Sequence, residues 1–104
     1  MLTKSEIGAV QKSLVEEGEE QISFVFQALA DTTRLKIFRL LATHQDLCVT
    51  DIAKVFHLSV PAISYQMKIM EVVGLVRKER MGRMICYELK TEDPMVKRIM
   101  KIIK

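Results

Sequence analysis

Cysteine is scarce in this sequence: only Cys48 and Cys86 occur, too few for the disulfide framework of a small secreted domain. A reduced, cytoplasmic protein is therefore expected. No run approaches the ~20 apolar residues of a membrane span, and no charged and then apolar leader opens the chain. A membrane partner is not expected. Gly-rich phosphate loops, nucleophile elbows and paired catalytic carboxylates are missing. The two histidines have no evident Ser or Cys partner at a strand end. An enzyme is not expected. Internal repeats, low-complexity segments and linkers are missing too.

What is present is apolar. Hydrophobic residues make up 49% of the 104 residues, enough for one domain with a modest core and a surplus of apolar surface for a twin to cover. Charge is unevenly placed. Residues 1–20 carry two lysines against five glutamates, whereas residues 66–104 carry ten basic against five acidic residues. A basic rear half behind an acidic front suits a polyanion-binding face on one side. A solvated surface would give the same charge count.

Periodicity organises the chain. Residues 5–17 read as a helix with Ser5 as N-cap, Ile7, Val10 and Leu14 on one face, and Gly18 as the stop. Residues 19–30 form a second helix, acidic at its start as the helix dipole prefers, with Ile22, Val25, Phe26 and Leu29 on its apolar face. Asp31 or Thr32 caps a third, with Leu35, Phe38, Leu41 and Ala42 inward and Arg34, Lys36 and Arg39 outward. Residues 43–47 read as a polar connection.

Two short helices follow. Val49, Ile52, Ala53 and Phe56 lie on one face of the first, and Ile63, Met67, Met70 and Val73 on one face of the second. Only His57-Leu58-Ser59 separates them, a length suited to a sharp corner. Ser59 is a good N-cap, and Pro61 falls in the first turn, where a missing N–H costs nothing. His57 sits where left-handed backbone is often needed, and reads as a turn residue.

After Gly74 the period changes to two. Residues 75–80 and 84–89 read as strands joined at Met81-Gly82-Arg83, with Ile85, Tyr87 and Leu89 alternating with Met84, Cys86 and Glu88. Asp93 and Pro94 open a last helix. The expected fold is mostly α with a small β-hairpin, a winged helix-turn-helix in one domain over residues 1–104. Its first and last helices, within 1–18 and 93–104, are assigned to a homodimer through Ile7, Val10, Leu14, Val96, Ile99, Met100 and Ile103.

Four stretches carry a family resemblance. FQALADTTRLKIFRLL (26–41), LCVTDIA (47–53), LSVPAISYQMKIMEVVGLV (58–76) and GRMICYEL (82–89) resemble, in order, the conserved runs of the ArsR/SmtB winged-helix repressors. The resemblance covers residues 24–90. It implies a dimeric transcriptional repressor that leaves its operator when an inducer, commonly a metal ion, binds.

Double-stranded DNA, as a palindromic operator, is the expected partner. An exposed second corner helix fits the major groove, and the resemblance also makes it the base reader. Ser59, Val60, Pro61, Ala62, Ser64, Tyr65, Gln66 and Lys68 are its candidate contacts. Gln66 can pair bidentately with adenine, Val60 and Ala62 can touch a thymine methyl, and Lys68 suits the phosphate backbone. Tyr65-Gln66 stands where the family has a His-His pair, so a different operator is implied. Lys78, Arg80 and Arg83 around Gly82 suit a neighbouring minor groove or phosphates. A winged-helix protein-interaction module is the rival reading, because fold does not fix function.

Sensing fits the family less well. The resemblance places one metal site on both cysteines of a C-V-C-D run with further ligands near the N-terminus. Here Thr50 replaces the second cysteine, and residues 1–43 hold no Cys or His. The other family site uses His and acidic residues of the last helix, which has no His. Neither can be assembled, and no cofactor is expected. His44, Cys48 and Asp51 form an alternative metal set. A thiol switch at Cys48 or Cys86 is a second reading, and regulation without any small ion is the third.

Overall fold

Ile37, Phe38 and Leu41 lie on one face of a central helix and are fully buried, and the remaining elements pack around them. The computed structural model describes residues 1–15 and 19–103. Within them the elements are α1 (Lys4–Ser13), α2 (Glu19–Ala30), α3 (Thr32–Thr43), β1 (Leu47–Cys48), α4 (Val49–Phe56), α5 (Val60–Val72), β2 (Val76–Met81), β3 (Met84–Leu89) and α6 (Pro94–Ile103). The fold is mostly helical with a small antiparallel sheet, a winged helix-turn-helix as expected. No described helix is long and apolar enough to cross a membrane.

Local chemistry sets most boundaries. Thr3, not Ser5, caps α1: its side chain accepts from the Glu6 N–H while the Glu6 carboxylate accepts from the Thr3 N–H. The helix also stops sooner than the periodicity suggests, at Ser13. The expected stop, Gly18, lies outside the described residues. Asp31 caps α3 through the Arg34 N–H at 3.0 Å, and Asp93 accepts from the Met95 and Val96 N–H groups to open α6. Gly74, at φ 88°, lets the chain leave α5 for the hairpin in the left-handed region.

The sheet has order β1-β3-β2, both pairs antiparallel. The expected hairpin forms, with Val76 opposite Leu89 and Met81 opposite Met84. Sequence reading missed β1, whose two residues are too few to show a period of two. It exists because β3 has a free edge, where Leu47 pairs with Tyr87 and Cys48 with Cys86. The central strand is therefore shielded more fully than a simple alternation predicts: Cys86, Tyr87 and Leu89 are all buried.

Two stripes are used differently from expectation. Val96 and Ile99 of α6 lie in the chain's own core, and Met100 and Ile103 pack against it. Arg39 Nε also donates to the Ile103 carbonyl, tying the end of α6 to α3. The interface assignment is corrected for Val96 and Ile99, because atoms already dry inside one chain add little to a dimer. On α2, Val25 and Ala28 point inward, while Ile22 and Phe26 stay exposed. α1 buries none of its residues, so Ile7, Val10 and Leu14 remain available.

Candidate nucleic-acid interface

The corner is built by caps at both ends of its turn. α4 ends at Phe56, and His57 adopts left-handed backbone at φ 54° and ψ 41°, the turn role its position suggested. The Leu58 N–H then returns to the Ala53 carbonyl at 3.0 Å, a cap typical of a left-handed helix end. Ser59 accepts from the Ala62 N–H at 3.2 Å and starts α5, with Pro61 in the first turn. Ile63, Met67 and Met70 are fully buried. They anchor α5 by one face and turn the opposite face outward.

That face carries the candidate readers. Ser59, Val60, Pro61, Tyr65 and Lys68 are exposed, and Ala62, Ser64 and Gln66 are half-buried. Tyr65 stands out at 67% exposure, beyond what a core role would permit. Lys68 pairs with Glu71 at 3.4 Å, one turn on, an exposed contact that a phosphate could replace. Lys78, Arg80 and Arg83 are exposed on the hairpin, and among the described residues none makes an ion pair. Arg77, on the same strand, differs: it is held by Glu88 and Glu92.

Gln66 has a partner that sequence reading missed. Arg34 reaches from α3, donating Nε to the Ala28 carbonyl and Nη1 to Gln66 Oε1, both at 2.7 Å. Thirty-two residues separate Arg34 from Gln66, so no local pattern could reveal the pairing. The contact takes one of two lone pairs on Oε1. It fixes which end of the amide is the acceptor and leaves the amide N–H groups free.

The hairpin turn is Gly82-Arg83, with Gly82 at φ 65°, a conformation that suits glycine. It puts Arg83 at the wing tip. Arg83 and Met84 face Val60 and Ser64 of α5 across an open cleft of about 210 Å³, with Cys48 and Thr50 also in its wall. α5 and the wing thus stand on two sides of one cleft.

Residues 31–78 match the family described as "Bacterial regulatory protein, arsR family". The transcriptional repressor SdpR of Bacillus subtilis is 39% identical over 67 residues, covering 64% of this chain and 73% of that one. A transcriptional repressor SmtB homolog of Synechocystis is 40% identical over 70 residues, 67% of this chain and 52% of its own length. This chain belongs to the arsR family. As a family member it is a DNA-binding transcriptional regulator, and the interaction-module alternative is not favoured. The winged helix-turn-helix domain of Mb0332 of Mycobacterium bovis, described as homodimeric, DNA-binding and a possible ArsR-family regulator, superposes with a TM-score of 0.72 at 26% identity, over 99% of this chain and 86% of that one.

The metal chemistry implied by the arsR resemblance does not fit these residues. Cys48 is bonded to Cys86 as a disulfide, so it offers no thiolate, and Thr50 is no substitute for a second one. In the disulfide form the alternative set of His44, Cys48 and Asp51 lacks its thiolate as well. His44 Nδ1 is within hydrogen-bond distance of the Thr43 hydroxyl, and Asp51 accepts from the Cys48 N–H at 3.3 Å. The expectation of two free thiols is corrected as well, because β1 lays Cys48 directly against Cys86 in the ladder.

Among the described residues one group of potential ligands converges, and it was not foreseen. The carboxylates of Asp46, Glu79 and Glu88 lie within 4.8 Å of one another. A hydrogen bond with Glu88 raises the Asp46 carboxyl above the ordinary range, aided by slight desolvation and by the Glu88 charge. Asp46 also takes positive φ, 57°, where asparagine is well tolerated. A raised folded-state pKa favours folding at acid pH, and that contribution is lost as pH rises through the folded value. Asp46→Asn is therefore expected to raise the melting temperature at pH 7, with the gain vanishing below the carboxylate range. Melting curves from pH 3 to 8 check this; a gain independent of pH would assign it to backbone alone.

Proposed function

We propose that this chain, as a single domain over residues 1–104, is a homodimeric cytoplasmic repressor that reads a palindromic operator and leaves it when an inducer binds. It acts by binding, not catalysis. The observation that carries the reading is the exposed first turns of α5, with Arg83 across one cleft from them and Lys78 and Arg80 exposed on the same hairpin, none of the three paired with a described carboxylate. The repressor names of the arsR relatives support the sign of regulation.

In this reading α5 enters the major groove with Ser59, Val60, Pro61, Ala62, Ser64, Tyr65, Gln66 and Lys68. The wing lays Lys78, Arg80 and Arg83 on adjacent backbone or minor groove. Two-fold symmetry then sets half-site centres one helical turn apart, about 34–36 Å. Selection of binding duplexes from a random pool, followed by footprinting, tests the proposal. An inverted repeat of that spacing is expected, and a pool that never enriches a sequence would overturn it.

Gln66 is expected to carry part of the specificity. Gln66→Ala should lose about 1–3 kcal/mol of discrimination at one base position, the cost of a bidentate pair. Equal loss on selected and random duplexes would show that Gln66 reads nothing.

The dimer in this reading uses Ile7 and Val10 of α1 and Leu14 at its C-cap, with the groove between α2 and α6. That groove, about 450 Å³, is lined by Ile22, Phe26, Met95 and Ile102 among others. Phe26 is 68% and Ile102 81% exposed, more apolar surface than isolated exposure explains. The homodimeric description of Mb0332 supports it. Phe26→Asp with Ile102→Asp is expected to give a folded monomer with weakened operator binding. Sedimentation of an unchanged dimer would move the interface elsewhere.

A further inference from the structure

The disulfide joins the two parts of the DNA-binding face. Cys48 is the N-cap of α4, the first corner helix, and Cys86 is in β3, the central strand of the wing. They are 38 residues apart in sequence, yet exact partners in the β1–β3 register. The two sulfurs are unequal. Cys86 is 1% exposed, whereas Cys48 is half-buried and lines the cleft between α5 and the wing tip. Arg83 borders the same cleft, and the positive end of α4 begins at Cys48. Both favour an anion at that sulfur.

We propose that Cys48 and Cys86 form a redox-modification site for small hydroperoxides, oxidised to the disulfide and thereby weakening operator binding. The Cys48 thiolate attacks the terminal oxygen of the hydroperoxide. The O–O bond breaks, an alcohol leaves with a proton, and Cys48 becomes a sulfenic acid. The Cys86 sulfur then attacks the Cys48 sulfur. The S–S bond forms, the S–O bond breaks, and the oxygen leaves as water with the Cys86 proton. Two thiols and one hydroperoxide give a disulfide, an alcohol and water, a two-electron oxidation. An external dithiol reverses it by exchange.

The coupling to DNA is mechanical. In the dithiol, β1 is held to β3 by a two-residue ladder, and the wing can shift against α4 and α5. In the disulfide a covalent bond fixes the wing at the spacing of the free protein. Seating helix and wing together on DNA then loses that adjustment.

The inference rests on the DNA-binding reading, and the test separates the two. The full-length protein, reduced with dithiothreitol, is titrated onto a duplex selected by its reduced form, before and after treatment with cumene hydroperoxide. Loss of two mass units and of both titratable thiols is expected, with affinity falling about fivefold or more and recovering on renewed reduction. Cys48→Ser, which keeps a good N-cap residue, should bind the duplex and ignore the peroxide. Failure of the reduced protein to bind any duplex would overturn the DNA-binding reading. Binding that is equal or tighter after oxidation, or a peroxide that forms no disulfide, would overturn the redox site alone. An equal loss in Cys48→Ser would trace the effect to methionine oxidation and overturn it too.

Discussion

Replacing Lys78, Arg80 and Arg83 together by alanine is expected to weaken duplex binding by about a hundredfold or more at 0.1 M salt, with little change in fold. All three are exposed, and none is tied up by a described carboxylate. Their removal therefore breaks no ion pair among the described residues. In a dimer the change removes six charges that can release counterions from DNA. The slope of log affinity against log salt should become shallower by about 5, at roughly 0.9 per phosphate contact. Affinity measured from 50 to 300 mM salt decides the matter. A slope like that of the unaltered protein would mean that the wing stays off the backbone. Arg77→Ala is the internal comparison: Arg77 is already held by Glu88 and Glu92, so its loss should barely change the slope.

Reduction of the Cys48–Cys86 bond is expected to cost about 2–4 kcal/mol of stability. A cross-link over 38 residues removes chain entropy from the unfolded state, and the chain-entropy relation puts the upper end near 4 kcal/mol for a loop of that length. For a domain of this size the loss corresponds to a fall in melting temperature of about 10 °C or more. Calorimetry with and without dithiothreitol measures it, and the Cys48→Ser, Cys86→Ser double variant should show no response to the reductant. Coincident melting of both forms would show that the bond does not constrain the unfolded chain. This stability effect is separate from the affinity effect proposed for the redox site. The first acts through the unfolded state, and the second through the folded wing.

Much of the fold and of the reading face could be seen in the sequence because the signals were local. The apolar spacing of Ile63, Met67 and Met70, the cap at Ser59 and the three-residue turn ending α4 each depend on neighbours within a few positions. The same is true of the hairpin around Gly82. Local rules failed where a partner came from far along the chain. The Val96/Ile99 stripe looked like a dimer face because periodicity marks an apolar side without saying what covers it. β1 was invisible because two residues show no period. Arg34 looked like an outward cation because its acceptor, Gln66, is on another helix. The acidic cluster of Asp46, Glu79 and Glu88 draws on a loop and two strands, and no spacing announces it.

The sequence by itself determined the order of the helices and the hairpin, the corner and its outward residues, and the incompleteness of the arsR metal sites. Ligand residues that are absent, such as a second cysteine at Thr50, stay absent however the chain folds. Only the tertiary structure decided what the remaining cysteines do. Cys48 and Cys86 become one bonded pair because the free edge of β3 recruits Leu47 and Cys48 as a strand, and antiparallel pairing fixes a register. A scarcity of cysteine that seemed to exclude disulfide chemistry thus places it between the reading helix and the wing.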